Sequence, residues 1–165
     1  MADISNSNLF HITTGTHDFS GACVVLVKTE WNATIIDALE YGCRKVLVQY
    51  GVKDIITITV PGAIEIPFAI KAFYESDTEL KADVFITLGC VIKGDTPHFE
   101  YVCSSVTDGV TQLNLSLKVP VIFGVLTVNT QEQAIERIGG KHGHKGEEAA
   151  ITALKMIALN VTLKK

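Results

Sequence analysis

"TLGCVIKGDTPHFEYV", residues 87–102, passes from an apolar run through a polar knot into a helical pattern. Its first half reads as a buried strand that ends at Gly89. Lys93, Asp95, Thr96 and His98 then crowd together, and an amphipathic helix opens at His98. Strand, polar loop, helix is the repeating unit of an α/β protein. If that unit recurs along the chain, the fold follows.

It does recur. "ACVVLVK" (22–28) is a continuous apolar run, as expected of a strand covered on both faces. Asn32 then offers an N-cap, and Ile35, Leu39, Cys43, Val46 and Tyr50 recur at helical spacing up to Gly51, a helix stop. "DIITITV" (54–60) is β-branched and closed by Pro61-Gly62; a helix follows over 65–76 with Pro67 in its first turn. The third strand is 83–89 and the third helix 98–118. The fourth strand is 119–128, followed by a short helix over 130–138 capped by Thr130. A Gly/His/Lys loop, "GGKHGHKG" (139–146), leads to a last helix over 147–160, with Ala150, Ile151, Leu154, Ile157 and Ala158 on one face. The alternation predicts right-handed crossovers and a single-domain, three-layer α/β/α sandwich around a mainly parallel four-stranded sheet. Residues 1–20 are polar and read as an arm; residues 21–165 form the domain.

The bulk composition agrees. Hydrophobic residues make up 47% of the 165 and charged residues 19%, enough apolar mass for one buried core and too little charge for disorder. The net charge of −4 gives no footprint for nucleic acid or an anionic membrane surface. The apolar runs are shorter than a membrane span, and no basic leader precedes one, so the expectation is a soluble cytoplasmic protein. Cys23, Cys43, Cys90 and Cys103 form no C-x-x-C pair and sit in apolar segments, as buried free thiols of a reducing compartment do. Cys103, beside Ser104 in a helix interior, reads as structural rather than catalytic.

In a parallel sheet, ligands gather at the C-terminal strand ends, and the polar oddities fall there. Trp31, the single tryptophan, either stacks on a heteroaromatic ring or closes the edge of the core. Pro61-Gly62 makes a tight turn whose following amides suit an anionic or polar group, and Glu65 suits a helix N-terminus whether or not it touches a ligand. Gly89-x-x-x-x-Gly94 mimics half of a nucleotide-binding loop, but Asp95 and Thr96 stand where Lys and Ser/Thr are needed, which argues against an ATPase. A single phosphate asks less: Lys93, the Gly94 backbone, Thr96 and the free N–H groups of the next helix suffice. His98 beside such a site favours a proton shuttle over a capping role. Arg137, Lys141 and Lys145 either gather an anion or are solvated charges. His142 and His144 lack a third ligand at useful spacing, so no metal site is expected.

Four motifs in order resemble the lumazine synthase family of riboflavin biosynthesis: "EWN" (30–32), "VPGAIEIP" (60–67), "GCVIKGDTPHFEYV" (89–102) and "VPVIFGVLT…EQAIERIGGKHGHKGEEAA" (119–150). The resemblance implies a flavodoxin-like fold and condensation of 5-amino-6-(D-ribitylamino)uracil with 3,4-dihydroxy-2-butanone 4-phosphate, without cofactor. It implies that Trp31 stacks on the pyrimidine beside Asn32, and that Ala63, Ile64 and Glu65 hold the ribityl chain with Lys145 from across a subunit boundary. Val91, Ile92 and Lys93 would line the pyrimidine pocket, Asp95, Thr96 and Arg137 the phosphate site. His98 would be the acid/base, and Phe123 would be lent to a neighbour's pocket. It also implies a homo-oligomer: a pentamer, with the short 139–146 loop permitting an icosahedral 60-mer, an arm packed on a neighbouring subunit, and riboflavin synthase as a candidate partner. The sequence departs from the family's commonest pattern at Asp95, whose carboxylate would have to turn away from the phosphate, and at His142 and His144. Three rivals are a flavin or lumazine carrier, an aldolase-type enzyme with Lys93 as Schiff-base lysine, and a shell protein with a filled pocket.

Overall fold

β1 (Cys23–Thr29) lies at the centre of the protein's layers, and its apolar run divides between them by parity. Val24 and Leu26 point into one core; Cys23, Val25 and Val27 point into the other. A strand with both faces covered has no use for polar residues, which is why the run is continuous. The computed structural model describes residues 7–10, 17–77 and 79–163. After β1 come α1 (Ala33–Gln49), β2 (Asp54–Val60), a single 3₁₀ turn (Ala63–Glu65), α2 (Ile66–Glu75), β3 (Val84–Ile92), α3 (His98–Ser116) and β4 (Val121–Val128). A short α4 (Gln131–Ile135), a small hairpin of β5 (Ile138–Gly140) and β6 (Gly143–His144), and α5 (Lys145–Leu163) complete the chain.

The four long strands pair in the order β2-β1-β3-β4, all parallel. This is the flavodoxin-like arrangement the motifs imply. α1 and α5 cover one face, where Ile35, Ile36, Leu39, Cys43 and Leu47 meet Ala150, Leu154 and Ile157. α2 and α3 cover the other with Ile66, Ile70, Val106, Val110 and Leu113. Pro67 sits in the first turn of α2, and Gly51 takes a left-handed φ of 85° just beyond α1, both as the sequence requires. Thr130 caps α4 by accepting from the Gln133 N–H at 3.3 Å.

Three local expectations are corrected. β3 does not end at Gly89: Gly89 to Ile92 pair with Val125 to Val128 of β4. Gly89 is a packing glycine rather than a turn glycine, since a Cβ there would stand 3.2 Å from both γ-methyls of Val125. Residues 139–146 are not one loop, because they form the β5–β6 hairpin and the first turn of α5. Asn32 holds the N-cap position of α1 but makes no side-chain cap, because its backbone is left-handed and its amide is used elsewhere. Most of the arm lies outside the described residues. Of what is described, Leu9 packs on the α1/α5 core and the Asn8 carbonyl accepts from Lys155 Nζ at 2.9 Å.

β4 is an edge strand. Asn114 of α3 substitutes for a neighbour at one rung: its Oδ1 accepts from the Val121 N–H at 2.9 Å and its Nδ2 donates to the Val121 carbonyl at 2.8 Å. At the opposite flank, Glu40 of α1 ties β1 to β2. It accepts from Lys28 Nζ at 2.6 Å, Arg44 Nε at 2.8 Å and Thr57 Oγ1 at 3.1 Å. Burial alone would raise its carboxyl, but these donors outweigh it and hold the group below the usual carboxylate range.

Two outcomes follow. α1 and α5 approach backbone to backbone at Gly146, where a Cβ would run into the Leu39 carbonyl. Gly146→Ala should therefore destabilise the fold by about 1–3 kcal/mol in urea unfolding, despite alanine's better helix propensity. The Glu40 contribution is complete above the unfolded carboxylate pKa and is lost as pH falls through the lowered folded value. Glu40→Gln should thus flatten the fall in stability between about pH 6 and about pH 3, read from urea midpoints across that range.

Candidate active site

The chain leaves β1 towards β2 on one side and reaches β3 on the other, so strand order reverses between β1 and β3. The crevice outside the strand ends at such a reversal is where open α/β sheets bind ligands. A cavity of about 470 Å³ lies there, lined by Thr29, Trp31 and Asn32 after β1, and by Gly62, Ala63, Ile64 and Glu65 after β2. Cys90, Val91 and Ile92 at the end of β3 and His98 and Val102 of α3 close it. That volume suits a small organic ligand.

Trp31 is 73% exposed, which excludes the core alternative and leaves its ring free to stack. Glu65 accepts from the Gly62 N–H at 2.9 Å, so it both fixes the turn and faces the cavity. His98 is the first residue of α3, exposed at the cavity wall. Pro97 holds the N-cap position of α3, so the N–H groups of His98 and Phe99 are unclaimed by the helix. Lys93, Asp95 and Thr96 lie exposed beside that helix start. The Lys93 ammonium pairs with Glu100 at 3.2 Å and stands 5.8 Å from the centre of the Phe99 ring. An ion-paired, half-exposed lysine lacks the apolar enclosure that an aldolase-type amine needs.

The remaining candidates do not join this group within one chain. Phe123 and Lys145 line a separate cavity of about 430 Å³ along the open edge of β4, with Asn114, Glu148 and Met156. The Lys145 ammonium is held at 2.8 Å by both oxygens of Glu148. Arg137 is buried, donates from Nη1 to the Gln133 carbonyl at 2.6 Å, and lines neither cavity. His142 lies 3.5 Å from Glu136, while His144 Nδ1 accepts from the Glu147 N–H at 3.4 Å at the start of α5. Their neighbours explain the two histidines as local contacts. Sequence reading missed Thr29, Gly62, Cys90 and Val102 as cavity wall. Val102 was the readable one, since it follows His98 by one helical turn.

Residues 21–161 match the family described as 6,7-dimethyl-8-ribityllumazine synthase. The chain belongs to that family. A 6,7-dimethyl-8-ribityllumazine synthase of Bacteroides fragilis is 50% identical over 142 residues, covering 85% of this chain and 97% of the relative. One from Porphyromonas gingivalis is 52% identical over 136 residues, covering 81% and 83%, and one from Cytophaga hutchinsonii is 45% identical over 138 residues, covering 82% and 85%. The resemblance drawn from the four motifs is borne out, and with it an enzyme of the lumazine synthase type. No helix among the described residues is long and apolar enough to cross a membrane.

The thiols do not compete for the chemistry. Burial pushes Cys43 up to about 12 and Cys90, in the wall of the lumazine synthase cavity, up to about 11. At pH 7 their thiolate fractions are roughly a hundredfold or more below that of a free cysteine. Brief treatment with iodoacetamide at neutral pH should leave both unmodified in a peptide map of the native protein.

Proposed function

We propose that the protein condenses 5-amino-6-(D-ribitylamino)uracil with 3,4-dihydroxy-2-butanone 4-phosphate to 6,7-dimethyl-8-ribityllumazine, phosphate and water, the penultimate step of riboflavin biosynthesis. The observation that carries this is the cavity at the β1/β3 reversal, which a solvent-facing indole and the His98 imidazole both line. The pyrimidine stacks on Trp31 between the Val91–Ile92 strand end and the Ala63–Ile64 turn. Glu65 accepts from the ribityl hydroxyls. Lys93, Thr96 and the N–H groups opening α3 receive the phosphate, with Asp95 offering only its backbone. No resident metal or redox group is part of the scheme.

The steps need proton transfers above all. The 5-amino group attacks the ketone and water leaves as an imine forms. A proton leaves the hydroxyl-bearing carbon as the phosphate departs, and the enol so formed takes a proton at its terminal carbon to become a methyl ketone. The second nitrogen adds to that ketone to close the ring, and water is lost again. His98 stands where it can move these protons, and a cationic cradle takes up the charge of the leaving phosphate. Phe123, Arg137 and Lys145 complete the site from a second copy, because within one chain they stand apart from Trp31. This reading carries with it a homo-oligomer, a pentamer whose members each lend their β4 flank to the next, and a cytoplasmic location. The short hairpin over 138–144 leaves stacking into an icosahedral 60-mer open to such pentamers.

Mixing the two substrates with the protein should yield lumazine absorbance and equimolar phosphate; the absence of both signals would overturn the activity. His98→Ala should lower kcat by about 10²–10⁴-fold while the oligomer keeps its sedimentation coefficient. Turnover at the wild-type rate would remove His98 from the proton work.

A further inference from the structure

Asn32 is the single non-glycine residue with a positive φ among the described residues, at φ 59° and ψ 43°. Asparagine tolerates this left-handed region better than other side-chain-bearing residues, so the strain is small but real. It secures something specific. β1 and β3 pair as far as Lys28↔Leu88. Two residues on, β1 has already turned away: the Glu30 N–H donates to the Val60 carbonyl of β2 at 2.9 Å. The Cys90 carbonyl of β3 would then lack its next rung. The Asn32 amide supplies it, donating from Nδ2 at 2.9 Å.

The loop after β1 is thereby anchored on both sides of Trp31, to β2 one residue before it and to β3 one residue after. The indole itself lies against Gly62, where a Cβ would stand 3.6 Å from its Cδ1. A residue with 73% of its surface exposed is thus held by its backbone rather than by burial. Building on the proposed function, we infer that Asn32 is a positioning residue: it presets the Trp31 ring for the pyrimidine and does not serve as a ligand. The residue must do two things at once, accept a left-handed backbone and donate a hydrogen bond. Glycine does the first alone. Aspartate tolerates the backbone, but at neutral pH its carboxylate cannot donate.

Trp31 is the single tryptophan, so its emission reports the ring directly. The test compares wild type, Asn32→Gly and Asn32→Asp as full chains, by time-resolved anisotropy of Trp31 without ligand and by steady-state kinetics. Asn32→Gly, which relieves the backbone, is expected to fold with an unchanged thermal midpoint. It should nevertheless show faster Trp31 depolarisation and a KM for 5-amino-6-(D-ribitylamino)uracil raised about fivefold to tenfold, the worth of one net hydrogen bond. kcat should change less than KM, and Asn32→Asp should behave alike. Unchanged anisotropy and KM in Asn32→Gly would overturn the inference. A raised KM with unchanged anisotropy would also overturn it, making Asn32 a direct ligand. Wild-type emission unaffected by saturating pyrimidine would instead strike at the proposed function, and the ligand-free anisotropy would still decide the tether.

Discussion

The pairing of β1 with β3 is the constraint on which the rest depends. It places the most apolar strand between two neighbours and under two helical layers, and its five rungs stop where the chain has polar work to do. Because the strands are parallel, their C-terminal ends share one rim. Because the order reverses there, the rim has a gap. The cavity is therefore a product of topology, and the loops after β1, β2 and β3 have only to furnish it with an indole, a carboxylate and an imidazole.

Much of this was legible because burial on two faces leaves an unmistakable mark. Residues 22–28 read as a strand covered on both faces from their continuous apolar run, and the parity of Val24 and Leu26 against Val25 and Val27 only had to be assigned to layers. Trp31, Glu65 and His98 were legible as polar or aromatic interruptions at strand ends. What failed were residues whose local meaning is overruled by a distant contact. Gly89 signals a stop, yet it gives space to Val125, a residue of another strand. Asn32 signals a helix cap, yet its amide answers a carbonyl 58 positions away.

The relation of Phe123, Arg137 and Lys145 to the rest was illegible for a different reason. Nothing in spacing says which cavity a side chain enters, and one chain puts Phe123 and Lys145 on the β4 flank and Arg137 in neither cavity, all away from the Trp31 site. Their internal partners are informative. Lys145 is already neutralised by Glu148, and Arg137 rests on a backbone carbonyl. A group so held is oriented in advance, so the role proposed for it in a second copy's site needs less ordering than a free surface cation would.

The carboxamide of Asn114 mimics a missing strand for a single rung, at Val121. Among the described residues the edge beyond that rung is unsealed, and its alternate peptide groups from Phe123 onward have no comparable substitute on α3. Dilute solitary copies would be poorly protected from indiscriminate β-pairing with other polypeptides. Solubility in this fold is thus tied to whatever shields the rim, so mutations far from it that loosen the shield would surface as precipitation rather than as simple unfolding.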